Sequence, residues 1–230
     1  MSIEQQLADF VCTLQARDVP ADAQRIVRLV TMAATGAALA GAGEDGIAAL
    51  RELLRERGGA EQATSFVFGD RLPAASAAQL NGTMCRALDY CDAMAPGIHI
   101  GSSLIPAALA AAELAGGCSG AEFLAALAAG AELSSRFNLS EAQYDGFDPT
   151  GIAVVFAPTA AAARILKLTP RQTLHALALA FNRCGGSFQS NIDGSLAVRA
   201  IQGWVAETGV VCAQMAQRGF TVERLVSSAP

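Results

Sequence analysis

Apolar residues fall at helical spacing in one segment after another, and the residues packed between them are small. Hydrophobic residues make up 52% of the 230, while aromatics account for only 6%. A core made from such material has to come from helices that approach closely. Alanine is the residue least costly to place in a helix and the least bulky at a helix–helix contact. The first segment carries Ile3, Leu7, Phe10, Val11 and Leu14 at that spacing. After a turn at Val19-Pro20, Asp22 is placed to cap a second helix bearing Ile26, Val27, Leu29 and Val30, which runs into the small-residue stretch 33–43. A third helix holds Ile47, Leu50, Leu53 and Leu54 and stops at Gly58-Gly59. Ser65-Phe66-Val67-Phe68 reads as a short extended piece, and Pro73 opens a helix reaching Leu88.

Three further helix starts are written locally. Residues 104–115 read as a helix whose first turn holds Pro106. Ser119-x-x-Glu122 is a capping box, and Thr169-Pro170-x-Gln172 combines a cap with proline at the first helical position. A last long helix is predicted over 197–218. The expectation is an all-α fold, one domain spanning 1–230 with about nine or ten helices.

Charge and composition exclude several classes. The net charge is −5 and the basic residues are scattered, so a nucleic-acid backbone or an anionic membrane finds no basic stripe. The uncharged stretch 93–112 has the length of a membrane span. It contains Pro96, Gly97, His99, Gly101 and Pro106, which a lipid-facing helix does not accumulate. The acidic, amphipathic N-terminus does not read as a signal peptide, and a cytoplasmic location is expected. Six cysteines (Cys12, Cys85, Cys91, Cys118, Cys184 and Cys212) form no CxxC pair, so no metal site is expected and they read as reduced, mostly buried thiols. A mean hydropathy of +0.35 suggests apolar surface covered by another subunit.

Two histidines are present. His175 lies mid-helix and reads as structural. His99 sits in a Pro/Gly loop ten residues beyond Asp89, with Asp92 between them. A carboxylate beside an imidazole orients the ring and raises its basicity, which suits general acid/base work near neutral pH. Trp204, in the last helix, reads as a packing residue.

The run Leu80-Asn81-Gly82-Thr83, then Arg86-Ala87-Leu88-Asp89-Tyr90 with Asp92, then His99 and Ser102, then Ile105-Pro106-Ala107, resembles the 2-methylcitrate dehydratase (MmgE/PrpD) family. Further matches follow in order: Gly130-x-Glu132-x-x-x-Arg136, Gly146-Phe147-x-Pro149-Thr150, Gly203-Trp204 and Gly219-Phe220-Thr221. The resemblance implies an all-helical domain followed in the family by a smaller α+β domain, which this chain is expected to lack. It implies homodimers and proton transfer beside a carboxylate of a small organic acid, without metal or organic cofactor. By position it makes His99 the general acid/base, Asp89 its orienting partner, and Asp148 a second acid/base where the family has histidine. Asp92, Ser102, Arg136 and Arg199 are the expected substrate-binding residues. Arg199 stands one position from where the family has lysine. The resulting expectation is a lyase or isomerase, with a diverged cyclase among the options. The alternative is a half-enzyme that pairs with a separate chain supplying the missing domain.

Overall fold

Local capping explains where most of the helices begin. The computed structural model describes residues 2–222, so the expected domain limits at 1 and 230 lie outside the described residues. Ten α-helices carry nearly all the regular structure within them: α1 Ile3–Thr13, α2 Ala21–Gly41, α3 Ile47–Arg57, α4 Ala74–Arg86, α5 Gly101–Leu114, α6 Gly120–Arg136, α7 Phe156–Ile165, α8 Pro170–Phe181, α9 Gln189–Ile192 and α10 Ala197–Gln217. The all-α expectation holds. Ser2 accepts from Gln5 N at the start of α1, and both capping boxes form, Ser119 with Glu122 at α6 and Thr169 with Gln172 at α8. Gly58 ends α3 with φ of 62°.

Three local expectations are corrected. Asp22 does not cap α2; Pro20 occupies that position, and Asp22 lies in the first turn, where its charge still meets the positive helix end. Ser65–Phe68 is a turn rather than a strand. The strands lie on either side of it, β1 Ala63–Thr64 and β2 Arg71–Leu72, and they pair antiparallel. The β-like residue types fill the connection, which buries Ser65 and carries Val67 at φ of 65°. Finally, α5 begins at Gly101, so Pro106 falls beyond its first turn. The cap that starts this helix early comes from outside it: the Asp92 carboxylate accepts from Ile100 N at 3.1 Å and Gly101 N at 2.9 Å.

α4 is the central element. It is buried along almost its whole length and packs against α2, α5 and α10. α10 in turn crosses α7 and α8. At the α4–α10 crossing the backbones touch. A Cβ on Gly203 would stand 2.4 Å from Gln79 O and 2.2 Å from Thr83 Oγ1, so no other residue fits there without displacing a helix. Ala77, Ala78, Leu80 and Met84 of α4 and Ala206 and Val210 of α10 all belong to the buried core.

Trp204 points largely outward, 49% exposed, contrary to its expected packing role. The outer face of α2 leaves Ile26, Leu29, Met32 and Leu39 uncovered. Among the described residues no helix is long and apolar enough to cross a membrane.

Candidate functional site

The end of α4 and the start of α5 frame the site. Past Arg86 the chain reverses through Asp89, whose φ of 57° is a left-handed conformation that aspartate tolerates better than most residues. It then passes Cys91 and Asp92 and folds back on itself, with Met94 and Ile98 exchanging backbone hydrogen bonds of 2.9 and 3.0 Å around Pro96. Fully buried Ile98 anchors this return. His99 follows at once, so a rigid apolar neighbour fixes its backbone. Its carbonyl accepts from Gln202 Nε2 of α10 at 3.1 Å, and Ser103 bonds the same Gln202.

The ring of His99 has a defined orientation. Nδ1 lies 2.7 Å from Asp92 O. A carbonyl oxygen only accepts, so Nδ1 carries a hydrogen, and Nε2 is the nitrogen left for proton exchange. The Cys91 sulfur lies 3.5 Å from the same Nδ1 and 3.5 Å from Arg86 Nη1. Arg86 is buried, and its guanidinium also pairs with the Asp89 carboxylate.

The opposite wall is made of two loops joined backbone to backbone. Asp148 N donates to Gly186 O at 2.9 Å, Gly185 N to Gly151 O at 3.0 Å, and Phe188 N to Gly146 O at 3.1 Å. The contact is so close that a Cβ on Gly151 would lie 1.8 Å from Gly185 O. Asp148 is buried at the entry to a π-helical turn, Thr150–Val154. Its carboxylate accepts from Thr150 N at 2.8 Å, Gly151 N at 3.3 Å and Asn191 Nδ2 at 3.0 Å. Between the walls lies a cavity of about 210 Å³ that Arg86, His99, Tyr144, Asp148, Asn191 and Ile201 help to line.

The structure thus brings His99 and Asp148 to one cavity. It does not put Asp89 beside His99: the left-handed turn sends that carboxylate to Arg86, with 71% of the side chain exposed. Asp92 orients His99 through its backbone carbonyl, while its carboxylate is engaged by the α5 N-terminus. Ser102 is fully buried within the first turn of α5. Arg199 bonds Asp45 O and Glu44 and lines a separate cleft of about 310 Å³, into which Arg86 and Asp89 also reach. Arg136 pairs with Glu132 on the exposed side of α6 and does not line the His99 cavity.

Three residues of the site escaped the sequence reading: Arg86, Asn191 and Cys91. All six cysteines are free thiols, as expected, and Cys91 lies against two ionisable partners. Burial opposes its ionisation, but the hydrogen bond and charge of His99, with Arg86 and Ser102, outweigh that and hold its pKa below the usual thiol value. His99 is shifted the other way. Its bond to Cys91 raises it more than burial lowers it, although Arg86 works against the rise. The available signal was positional, since the second aspartate of the resembled motif falls on Cys91 or Asp92 in this sequence. Among the described residues no group of three or more His, Cys, Asp or Glu side chains is placed to hold a metal ion.

The helix–loop–helix that presents His99 is the same segment that carries the resemblance, and a family model extends it over nearly the whole chain. The MmgE/PrpD N-terminal domain matches residues 5–229. The chain belongs to that family. A curated relative, the cis-aconitate decarboxylase-like protein oryM of Aspergillus oryzae (strain ATCC 42149 / RIB 40), is 26% identical over 237 residues. The alignment covers 95% of this chain and 48% of that protein, so the chain spans about half the length of the relative it matches. In this MmgE/PrpD domain the paired loops at 146–151 and 185–188 complete the cavity that the His99 segment opens.

Proposed function

We propose that this MmgE/PrpD domain is a lyase or isomerase that moves a proton at a carbon next to the carboxylate or carbonyl of a small organic acid, without a metal or organic cofactor. One observation carries the reading. His99 faces a small cavity with Nδ1 committed to Asp92 O, and a buried arginine stands on the same wall. Nε2 is then the atom that gives and takes the proton. Arg86 supplies the cation for a carboxylate or for the enolate-like oxygen that develops as the proton leaves. Asn191 adds a neutral donor. Asp148, held by three donors of its own, shapes the wall. Family membership and a relative named as decarboxylase-like support chemistry of this class.

The test is hydrogen exchange. The chain is incubated in D2O with a panel of di- and tricarboxylates, and deuterium entry at the carbon beside the carboxylate is followed by NMR. Exchange with one panel member, abolished in His99→Gln, supports the proposal. Absence of both exchange and binding across the panel rejects it.

A second reading rests on length and surface. The chain spans 48% of its relative, and Tyr90 and Phe147, which neighbour the site in sequence, are exposed. A second polypeptide segment would cover them and complete the site. Binding of a panel member without exchange favours this reading. We also propose that the uncovered α2 face serves the homodimer that the resemblance implies. Met32→Asp should then dissociate the dimer in light scattering.

A further inference from the structure

The sulfur of Cys91 is surrounded by hydrogen-bond donors. Arg86 Nη1 approaches it at 3.5 Å, and His99 Nδ1, which must carry a hydrogen because of Asp92 O, stands at 3.5 Å. Nearby, the Ser102 hydroxyl is buried with no hydrogen-bond partner. A thiolate accepts from both donors, whereas a thiol would have to place its own hydrogen between them. Cys91 is not among the residues lining the cavity, while both side chains it touches, Arg86 and His99, are. Its position is therefore behind the reacting group.

We propose that Cys91 is a thiolate that serves as the charge partner of His99, a positioning residue that keeps the imidazole protonated on both nitrogens and so holds a proton on Nε2 towards the cavity. The inference rests on the function proposed above for this site and specifies its resting state: His99 begins as the proton donor. A carboxylate would ordinarily serve in this place. Here the charge partner is a sulfur, and it reaches the ring through the same Nδ1–H that Asp92 O accepts.

The other charged groups around the pair are accounted for. From α4, Arg86 favours the thiolate and disfavours the imidazolium, and its pairing with Asp89 tempers both effects. The Asp92 carboxylate is committed to the α5 N-terminus. Across the cavity stand Asp148 and Tyr144. Behind Cys91 the buried Cys85 is driven up by burial and stays a neutral thiol.

The directions set the pH behaviour. The raised His99 contributes stability that is fully present below the ordinary histidine range and lost as pH rises through its folded value. The lowered Cys91 contributes stability present above the ordinary thiol range and lost as pH falls through its folded value. Both groups are charged together only where the pH lies above the folded value of Cys91 and below that of His99.

With only two histidines in the chain, NMR reads His99 directly on the full chain, and His175, bonded to the Val222 backbone, is the internal control. Wild-type His99 is expected to titrate above the ordinary value of roughly 6.5, with Nδ1 protonated throughout. Cys91→Ser should lower that midpoint by about one pH unit or more and leave His175 unmoved. Cys91→Asp should restore it. A wild-type midpoint at or below the ordinary value overturns the proposal, and so does a Cys91→Ser midpoint equal to wild type. This measurement needs no substrate. A normal pair with no deuterium exchange would therefore reject only the function proposed above, and an ordinary titration with exchange intact would reject only the pair.

Discussion

The α4–α10 crossing and the loop between α4 and α5 touch each other through Gln202 and His99, yet they tolerate opposite kinds of change. At the crossing the backbones of two helices are in contact, and volume is the limiting quantity. In the loop the side chains are half exposed, a residue is held in the left-handed region, and polar partners decide what each group does. The comparison teaches that the frame is sensitive to added atoms and the site to altered charge. Each can be disturbed with a substitution that the other would absorb.

The largest effect is expected at the crossing. Gly203→Ala places a methyl 2.4 Å from Gln79 O, and overpacking against backbone should cost about 3 kcal/mol or more, measured by denaturant unfolding. A loss below about 1 kcal/mol would mean that the helices slide apart easily and that the frame is softer than described.

Asp92→Ala acts on both regions at once. It removes the acceptor that starts α5 and should cost about 1–2 kcal/mol. His99 should also titrate over a broader range as its loop loosens. Lowered stability with an unchanged His99 would show that the backbone carbonyl alone holds the ring.

The smallest effect has the opposite sign. Gly36 lies within α2 with nothing near its missing Cβ, so Gly36→Ala should stabilise by about 0.5–1 kcal/mol. A decrease instead would point to a partner covering that face in solution.

What could be read from sequence was whatever a few neighbouring residues decide. Ser119 with Glu122 and Thr169 with Gln172 announce their helices because each cap and its partner lie three residues apart. The start of α5 was misplaced because its cap, Asp92, lies nine residues upstream across a loop. Ser65–Phe68 misled because its residue types favour strands while its position between two short strands demands a turn. His99 and Asp148 were legible as cavity residues through the resemblance. The pairing of Asp89 was not, since one left-handed residue redirects the carboxylate to Arg86. Cys91 was passed over because a thiol's character is set by neighbours in space, here Arg86, His99 and Ser102, and a cysteine without a motif carries no such mark.

The two loops that form the far wall are tied by three backbone hydrogen bonds and a contact that excludes any side chain at Gly151. They therefore behave as one door leaf rather than two. The Asn191 side chain, on the helix that follows the second loop, donates to Asp148 in the first and adds a side-chain tie to the backbone ones. The amides of Asp148, Gly185 and Phe188 should accordingly exchange with solvent at a common rate.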